Sequence, residues 1–350
     1  GDAPLLINMD RPTLPAMLQQ AGYRTAVVGK WHLGLGLGDV DWNDQVKPGP
    51  LEVGFDYSFL LPATGDRVPT VYLENHRVVN LSSKDPLVVS YEEKVGDRPT
   101  GLERPDLLRV KADTQHSQTI INGVSRIGTM GGGQSAVWVD EDFPDVFTGK
   151  AKEFIETSKD QPFFLFFSFH DIHVPRLPHE RFKGKSEMGV RGDAIAQMDW
   201  MTGEVMRSLD ELGVAENTLI IFTSDNGPVL NDGYEDLAVE MLGSHSPGGA
   251  YRGGKYSAFE AGTRVPMIVS FPSKINEPKI NNALISQVDI YASLAQLTGQ
   301  QLANTEAIDS QGLLETLMGE SKGRTFMLEE SFTLSLRKNN WKYISPLEGK

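Results

Sequence analysis

Several short stretches place chemistry-bearing side chains where apolar runs end. Gly29-Lys30-Trp31-His32-Leu33-Gly34 sets a lysine and a histidine two residues apart directly after such a run. In extended backbone both side chains point to one side. A fixed cation beside a titratable imidazole suits an anionic group that gains or loses a proton, although a solvated turn would look the same. His170, His173 and His179 form a second cluster. Zinc is one possibility, but no cysteine and no HExxH helix accompany them, and Pro175 and Pro178 forbid a regular helix that would turn the three rings together. A histidine at the end of a buried strand also suits general acid or base work. Asp225-Asn226-Gly227 offers a carboxylate and an amide oxygen, hard ligands for Ca2+ or Mg2+. The same tripeptide is a common turn, and two oxygens fall short of the roughly six to eight that Ca2+ takes. Arg252-Gly253-Gly254-Lys255 is a cationic loop able to approach an anion closely, and Glu260 with Arg264 reads as an ion pair on one helical turn.

The elements that must position these residues follow from periodicity. Thr13 caps a helix with apolar positions at Leu14, Met17, Leu18 and Ala21, ended by Gly22. A strand over 23–28 delivers the lysine and histidine. Residues 40–145 are rich in Gly, Pro, Asp and Asn and read as a loop-rich insertion with a few short strands. A helix near 146–158 precedes Pro162–Phe169, an apolar run expected to be a parallel strand buried on both faces. Ile195, Met198, Thr202, Val205, Leu209 and Leu212 recur at helical spacing before Gly213. Strands at 219–223 and 266–271 and a helix over 288–297, stopped by Gly299, complete the pattern. Alternating strands and helices predict an α/β fold with a doubly wound, mostly parallel sheet. Ligands of such sheets bind beyond the carboxyl ends of the strands, where these clusters stand.

The bulk composition bounds the partners. The 350 residues carry 33 Lys+Arg against 47 Asp+Glu, a net charge of −14. That opposes nucleic-acid binding, which needs a broad cationic face, while leaving room for a small anion in a locally positive cleft. There is no cysteine, which excludes disulfides, thiolate metal sites and a thiol nucleophile within these residues. No apolar run approaches the roughly 18 residues of a membrane span, and Gly1-Asp2-Ala3-Pro4 is no signal peptide.

The order of the motifs resembles the type I sulfatases of the alkaline-phosphatase-like superfamily. AGYRTAVVGKWHLG (21–34) is similar to the family's second signature, and HDIHVP (170–175), SDNGP (224–228) and GGKYSAFEAGTRVP (253–266) follow in the family's order. The resemblance implies hydrolysis of a sulfate monoester, with a formylglycine made from Cys or Ser attacking sulfur and Ca2+ holding the sulfate. Position by position it implies Asp225 and Asn226 as calcium ligands, and Lys30 and Lys255 as cations on the sulfate oxygens. It makes His32 the histidine that assists sulfate elimination, and has His173, with Lys255, protonate the leaving oxygen. These six are expected to converge on one cleft. Arg252 and His245 are further candidate substrate contacts, and Trp42, Arg67, His116, Trp138, Asp171 and Arg176 are weaker ones.

The first signature, Cys or Ser followed by x-Pro-x-Arg, is absent, so the formylglycine and the remaining calcium ligands are expected upstream. The resemblance implies a domain over 1–299 lacking its N-terminal part, and an incomplete C-terminal subdomain over 300–350. Its substrate would be a sulfated small molecule or a sulfated glycan, and its location periplasmic or secreted. A phosphatase or phosphodiesterase of the same superfamily, and a non-catalytic binder of sulfated glycans, are the alternatives.

Overall fold

A computed structural model describes residues 3–320 and 322–346; Gly1 and Asp2 of the start read above, and the last four residues of the C-terminal stretch, lie outside them. The strands are β1 (Arg24–Lys30), β2 (Tyr57–Leu61), β3 (Leu73–Glu74), β4 (Arg77–Val78), β5 (Val88–Ser90), β6 (Ile120–Ile121), β7 (Val124–Ser125), β8 (Thr129–Gly131), β9 (Phe163–Ser168), β10 (Ile220–Thr223), β11 (Met267–Ser270), β12 (Met327–Ser331), β13 (Thr333–Lys338) and β14 (Trp341–Ile344). The helices are α1 (Leu14–Gln20), α2 (Phe143–Ser158), α3 (Gly189–Glu211), α4 (Glu260–Thr263), α5 (Asp289–Thr298) and α6 (Leu314–Leu317). The chain divides into two compact units, Gly1–Ser208 with Asn231–Gly243, and Leu209–Leu230 with Ser244–Lys350.

The first unit is built on a five-stranded sheet of order β4-β3-β2-β1-β9. Its centre is parallel: Ala26 pairs with Tyr57 and Leu165, and Gly29 with Leu60 and Ser168. Strand alternation sends Val27 and Leu60 to one core with Trp31 and Phe55, and Val28, Phe59 and Leu61 to another with Phe143 and Phe147 of α2. The residues of β1 and β2 are apolar in succession because both sheet faces are covered. Thr13 caps α1 as expected, its Oγ1 accepting from Ala16 N–H at 3.3 Å.

Two expectations need correction here. The stretch 40–145 is rich in loops and short hairpins, but it also holds β2, a core strand beside β1. The run Phe163–Ser168 is a parallel strand, yet only half-buried, with Phe166 48% exposed. Among the described residues β9 is the outer strand of its sheet, so nothing in that sheet covers its far edge.

In the second unit β10 and β11 pair antiparallel, Ile220 with Ser270 and Thr223 with Met267, rather than extending a parallel sheet. Gly299 ends α5 in the left-handed region, and β12-β13-β14 form an antiparallel sheet. The packing does not divide at the boundary expected near residue 300. Asp289, fully buried at the start of α5, binds Arg324 Nε at 2.7 Å and Gln311 N–H at 2.9 Å, which ties both sides of that point together.

Gly29 sits where β1 passes β9 with φ +116°, and a Cβ there would fall 1.9 Å from the Ser168 carbonyl oxygen. Only glycine allows both the dihedral and the approach. Gly29→Ala is expected to cost about 3 kcal/mol, read as a fall in the urea midpoint; an unchanged midpoint would show that the strands can part without penalty.

Candidate active site

Parallel pairing of β2, β1 and β9 brings three loops to one edge of the first unit. Pairing runs past the strand ends, with Trp31 N–H donating to Leu61 O at 3.1 Å and His32 N–H to Pro62 O at 3.3 Å. Trp31 is buried in the core and donates its Nε1–H to Gly34 O at 2.8 Å. Lys30 and His32 flank this plug. The backbone is not extended through the pair, because it turns into the left-handed region at His32 (φ 54°). Such a conformation in a non-glycine residue is uncommon and recurs at functional sites. His32 is exposed at its edge, so its loss of hydration is partial; that loss and the charges of Arg67 and Lys30 hold its ring down at about 4. It is therefore a neutral base near pH 7.

From β9 the chain enters His170 to His173. His170 is buried, and its Nε2 accepts from Gly65 N–H at 3.0 Å, which leaves the ring proton on Nδ1. Burial, with the charges of His173 and Lys30, keeps this ring well below its ordinary value and hence neutral. Gly65 must be glycine for this approach, since a Cβ would lie 2.5 Å from His170 Nε2. His173 Nδ1 lies 2.8 Å from Val174 O, an acceptor only, so Nδ1 carries a proton. His179 instead caps a short turn, its Nδ1 accepting from Arg181 N–H at 3.2 Å. Among the described residues no group of three His, Cys, Asp or Glu is placed to hold a metal ion.

The loop after β2 carries Asp66, only 3% exposed. Burial alone would raise its carboxyl, but hydrogen bonds from His116 and Thr64 and the charges of His173 and Arg67 hold it far below the carboxylate range. His116 runs the other way: burial would lower it, and Asp66 and Asp113 raise it. The loop itself is fastened by Arg126, fully buried, whose guanidinium donates to Gly65 O and, at 2.8 and 2.9 Å, to both oxygens of Asp140. Trp138 adds Nε1–H to Asp140 Oδ1 at 3.1 Å and lies under the guanidinium.

In the second unit the turn after β10 and the glycine-rich loop are held together. Gly227 N–H donates to Gly262 O and Lys255 N–H to Pro228 O, each at 2.9 Å. Asp225 is exposed and Lys255 half-buried. Asn226 Nδ2 donates to Gly227 O at 2.8 Å, which orients its amide. Arg252 lies over the Phe259 ring at 4.0 Å. His245 is exposed in the loop between and is tied to these residues by no described hydrogen bond or ion pair.

The structure thus groups Lys30, His32 and His173 in one unit and Asp225, Asn226, Lys255 and Arg252 in the other. Of the weaker candidates, Trp42 and Trp138 are core residues, and Arg176 is buried against Asp236 at 2.6 Å. Asp66 and the Gly65 contact escaped the sequence; a Thr-Gly-Asp run behind the apolar Tyr57–Leu61 was the available signal.

A family model described as sulfatase matches residues 7–300. The chain is 53% identical over 350 residues to an N-acetylgalactosamine-6-O-sulfatase of Bacteroides thetaiotaomicron, covering 99% of this chain and 68% of that one. It is 30% identical over 328 residues to a steryl-sulfatase of Mus musculus, covering 89% of this chain and about half, 51%, of the relative. A solved structure from work on glycosaminoglycan metabolism by Bacteroides thetaiotaomicron superposes with a TM-score of 0.97 at 52% identity, covering all of this chain (100%) and 74% of that one. The PsFucS1 sulfatase of Pseudoalteromonas sp. superposes at 0.67 with 26% identity, covering 98% of this chain and 62% of that one.

Two predictions follow from the buried charges. Asp140→Ala leaves the Arg126 guanidinium uncompensated and is expected to cost about 3–5 kcal/mol, while Arg126→Met with Asp140→Leu costs less; a single variant within about 1 kcal/mol of the parent would refute the pair's structural weight. His116 has a raised folded value, so its contribution to stability is full below the unfolded histidine value near 6.5 and fades as pH rises through the folded one. That of Asp66, whose value is depressed, is full above the unfolded value near 3.9. The stability gap between the parent and His116→Gln should be widest at about pH 4–6.5 and shrink above, measured by urea unfolding across pH.

Proposed function

We propose, on the premise that this chain belongs to the sulfatase family, that it hydrolyses the 6-O-sulfate ester of N-acetylgalactosamine in a glycan. The observation that carries this reading is 53% identity across 99% of the chain to a protein of that activity. In the first unit Lys30 supplies a fixed positive charge for sulfate oxygens. His32, neutral near pH 7, accepts the proton released when sulfate leaves. His173 donates a proton from Nε2 to the leaving sugar oxygen, its ring held by the Nδ1–H bond to Val174 O. In the second unit Lys255 supplies a further cation for the sulfate.

Asp225 and Asn226 fit a hard divalent cation by the chemistry of their oxygens, and we assign them to Ca2+. They make up part of a coordination shell, and we assign its other ligands and the formylglycine to sequence outside these 350 residues. When bound, the cation neutralises sulfate charge and the formylglycine supplies the nucleophile. We place the protein in the periplasm or outside the cell, as the family resemblance favours; among the described residues no helix is long and apolar enough to cross a membrane.

The test is to express the chain with its flanking coding sequence and assay N-acetylgalactosamine-6-sulfate against other sulfated sugars, with and without Ca2+. Asp225→Ala should lose both calcium affinity and turnover. Lys255→Ala should keep calcium affinity and lose about 10²–10³ in kcat. Turnover of another ester with this one untouched would sink the substrate assignment, and equal calcium loss in both variants would sink the role of Lys255.

A further inference from the structure

A buried network runs from the loop after β2, next to the Gly65 that binds His170, and none of the roles above employs it. Asp66 Oδ1 accepts from the Thr64 hydroxyl, and its Oδ2 lies 3.4 Å from His116 Nε2. His116, 7% exposed, turns Nδ1 to Asp113 Oδ1 at 2.7 Å, and its backbone N–H donates to the same oxygen at 3.0 Å. Both ring nitrogens face carboxylates, and only the doubly protonated imidazolium donates to both. The Tyr234 ring packs against His116 with centroids 5.0 Å apart and donates its hydroxyl to Ser125 O at 2.8 Å, which closes the network from the far side. Charge therefore alternates inward, from half-exposed Asp113 through His116 to buried Asp66.

Keeping a carboxylate ionised in the interior is costly unless its partners are well placed. Here Thr64 and His116 hold one anion in position, with Asp113 fixing His116 from behind, and the loop that carries the anion also enters the candidate site. The adjacent Gly65 binds His170, whose ring lies 5.9 Å from that of His173. Attraction between Asp66 and His173 favours the ionised acid and the protonated ring alike, and Asp66 acts in the same sense on His32.

We propose that Asp66 is a positioning residue whose carboxylate, clamped by Thr64 and the His116–Asp113 pair, is the fixed negative charge that holds His173 in its protonated, donating form. This role rests on His173 being the proton donor proposed above. The other charged and titratable groups around the two loops set the balance. Lys30 and Arg67 oppose a second positive charge on His32, and Lys30 and Arg126 oppose one on His170. His170 is neutral and adds no repulsion. Asp140, Asp171 and Arg176 line the small cavity that His173 shares. Of these, Asp140 is neutralised by Arg126, and Arg176 is paired with Asp236. Asp171 is pushed up to about 6 by burial, against the hydrogen bond from Gln197, so it is a weaker anion than Asp66 at mildly acidic pH.

The experiment is a pH titration of the chain expressed with its flanking coding sequence and labelled with 15N at histidine, with the His173 signals assigned through His173→Gln. Asp66→Asn should lower the His173 midpoint by about one unit or more. His116→Gln and Asp113→Asn, which loosen the clamp while keeping the anion, should lower it by less. An unmoved His173 midpoint in Asp66→Asn overturns the proposal. Should that variant fail to fold, an unmoved midpoint in both His116→Gln and the half-exposed Asp113→Asn overturns it equally. The titration reads a ring proton and needs no turnover, so it separates the two layers. If His173→Gln leaves sulfate-ester turnover intact while Asp66→Asn still moves the His173 midpoint, the donor role is overturned and the charge coupling is supported.

Discussion

The first unit depends on one buried cation. Arg126 has no contact with water, and its guanidinium is shared between the Asp140 carboxylate and the carbonyl oxygen of Gly65. Desolvating such a group is expensive, and the bonds from its two terminal nitrogens offset that cost while Nε stays without a hydrogen-bond partner. That requirement fixes the loop after β2 against the start of α2. Once Gly65 is fixed by its carbonyl, its N–H is aimed at His170, and the loop after β9 is fixed in turn. A single ion pair thus sets the distance between two of the three loops at the sheet edge. The third, carrying Lys30 and His32, is set by the β1–β2 register and the buried Trp31.

Around this frame the histidines are driven to different protonation states by their surroundings. His32 and His170 are kept neutral, the first by partial loss of hydration and nearby cations, the second by full burial. His116 is kept charged by two carboxylates. Burial, nearby cations and nearby carboxylates thus give imidazoles of unlike basicity within one unit. The net charge of −14 does not oppose an anionic substrate, because field strength at a cleft follows the nearest charges and their screening.

Short-range physics made much of this protein legible from its sequence. Helix caps, periodicity and terminating glycines act over a few residues, so α1, the long α3 and the stop at Gly299 were readable, as were the strands that deliver Lys30, His170 and Asp225. The motifs at the strand ends identified the family because residue type and spacing are local properties. What the sequence left open is long-range. Gly65 and Arg126 are 61 residues apart and Gly65 and His170 are 105 apart, so no periodicity joins them. The Tyr57–Leu61 run was masked by the Gly- and Pro-rich stretch around it, and its place beside β1 is decided by pairing. The antiparallel β10–β11 pair and the half-exposed β9 likewise follow from which partner each strand meets, and the αL turn at His32 from the burial of Trp31. Residue type determined what chemistry could occur; tertiary packing decided which groups stand close enough to shift one another's protons, because desolvation and Coulomb energies depend on neighbours in space.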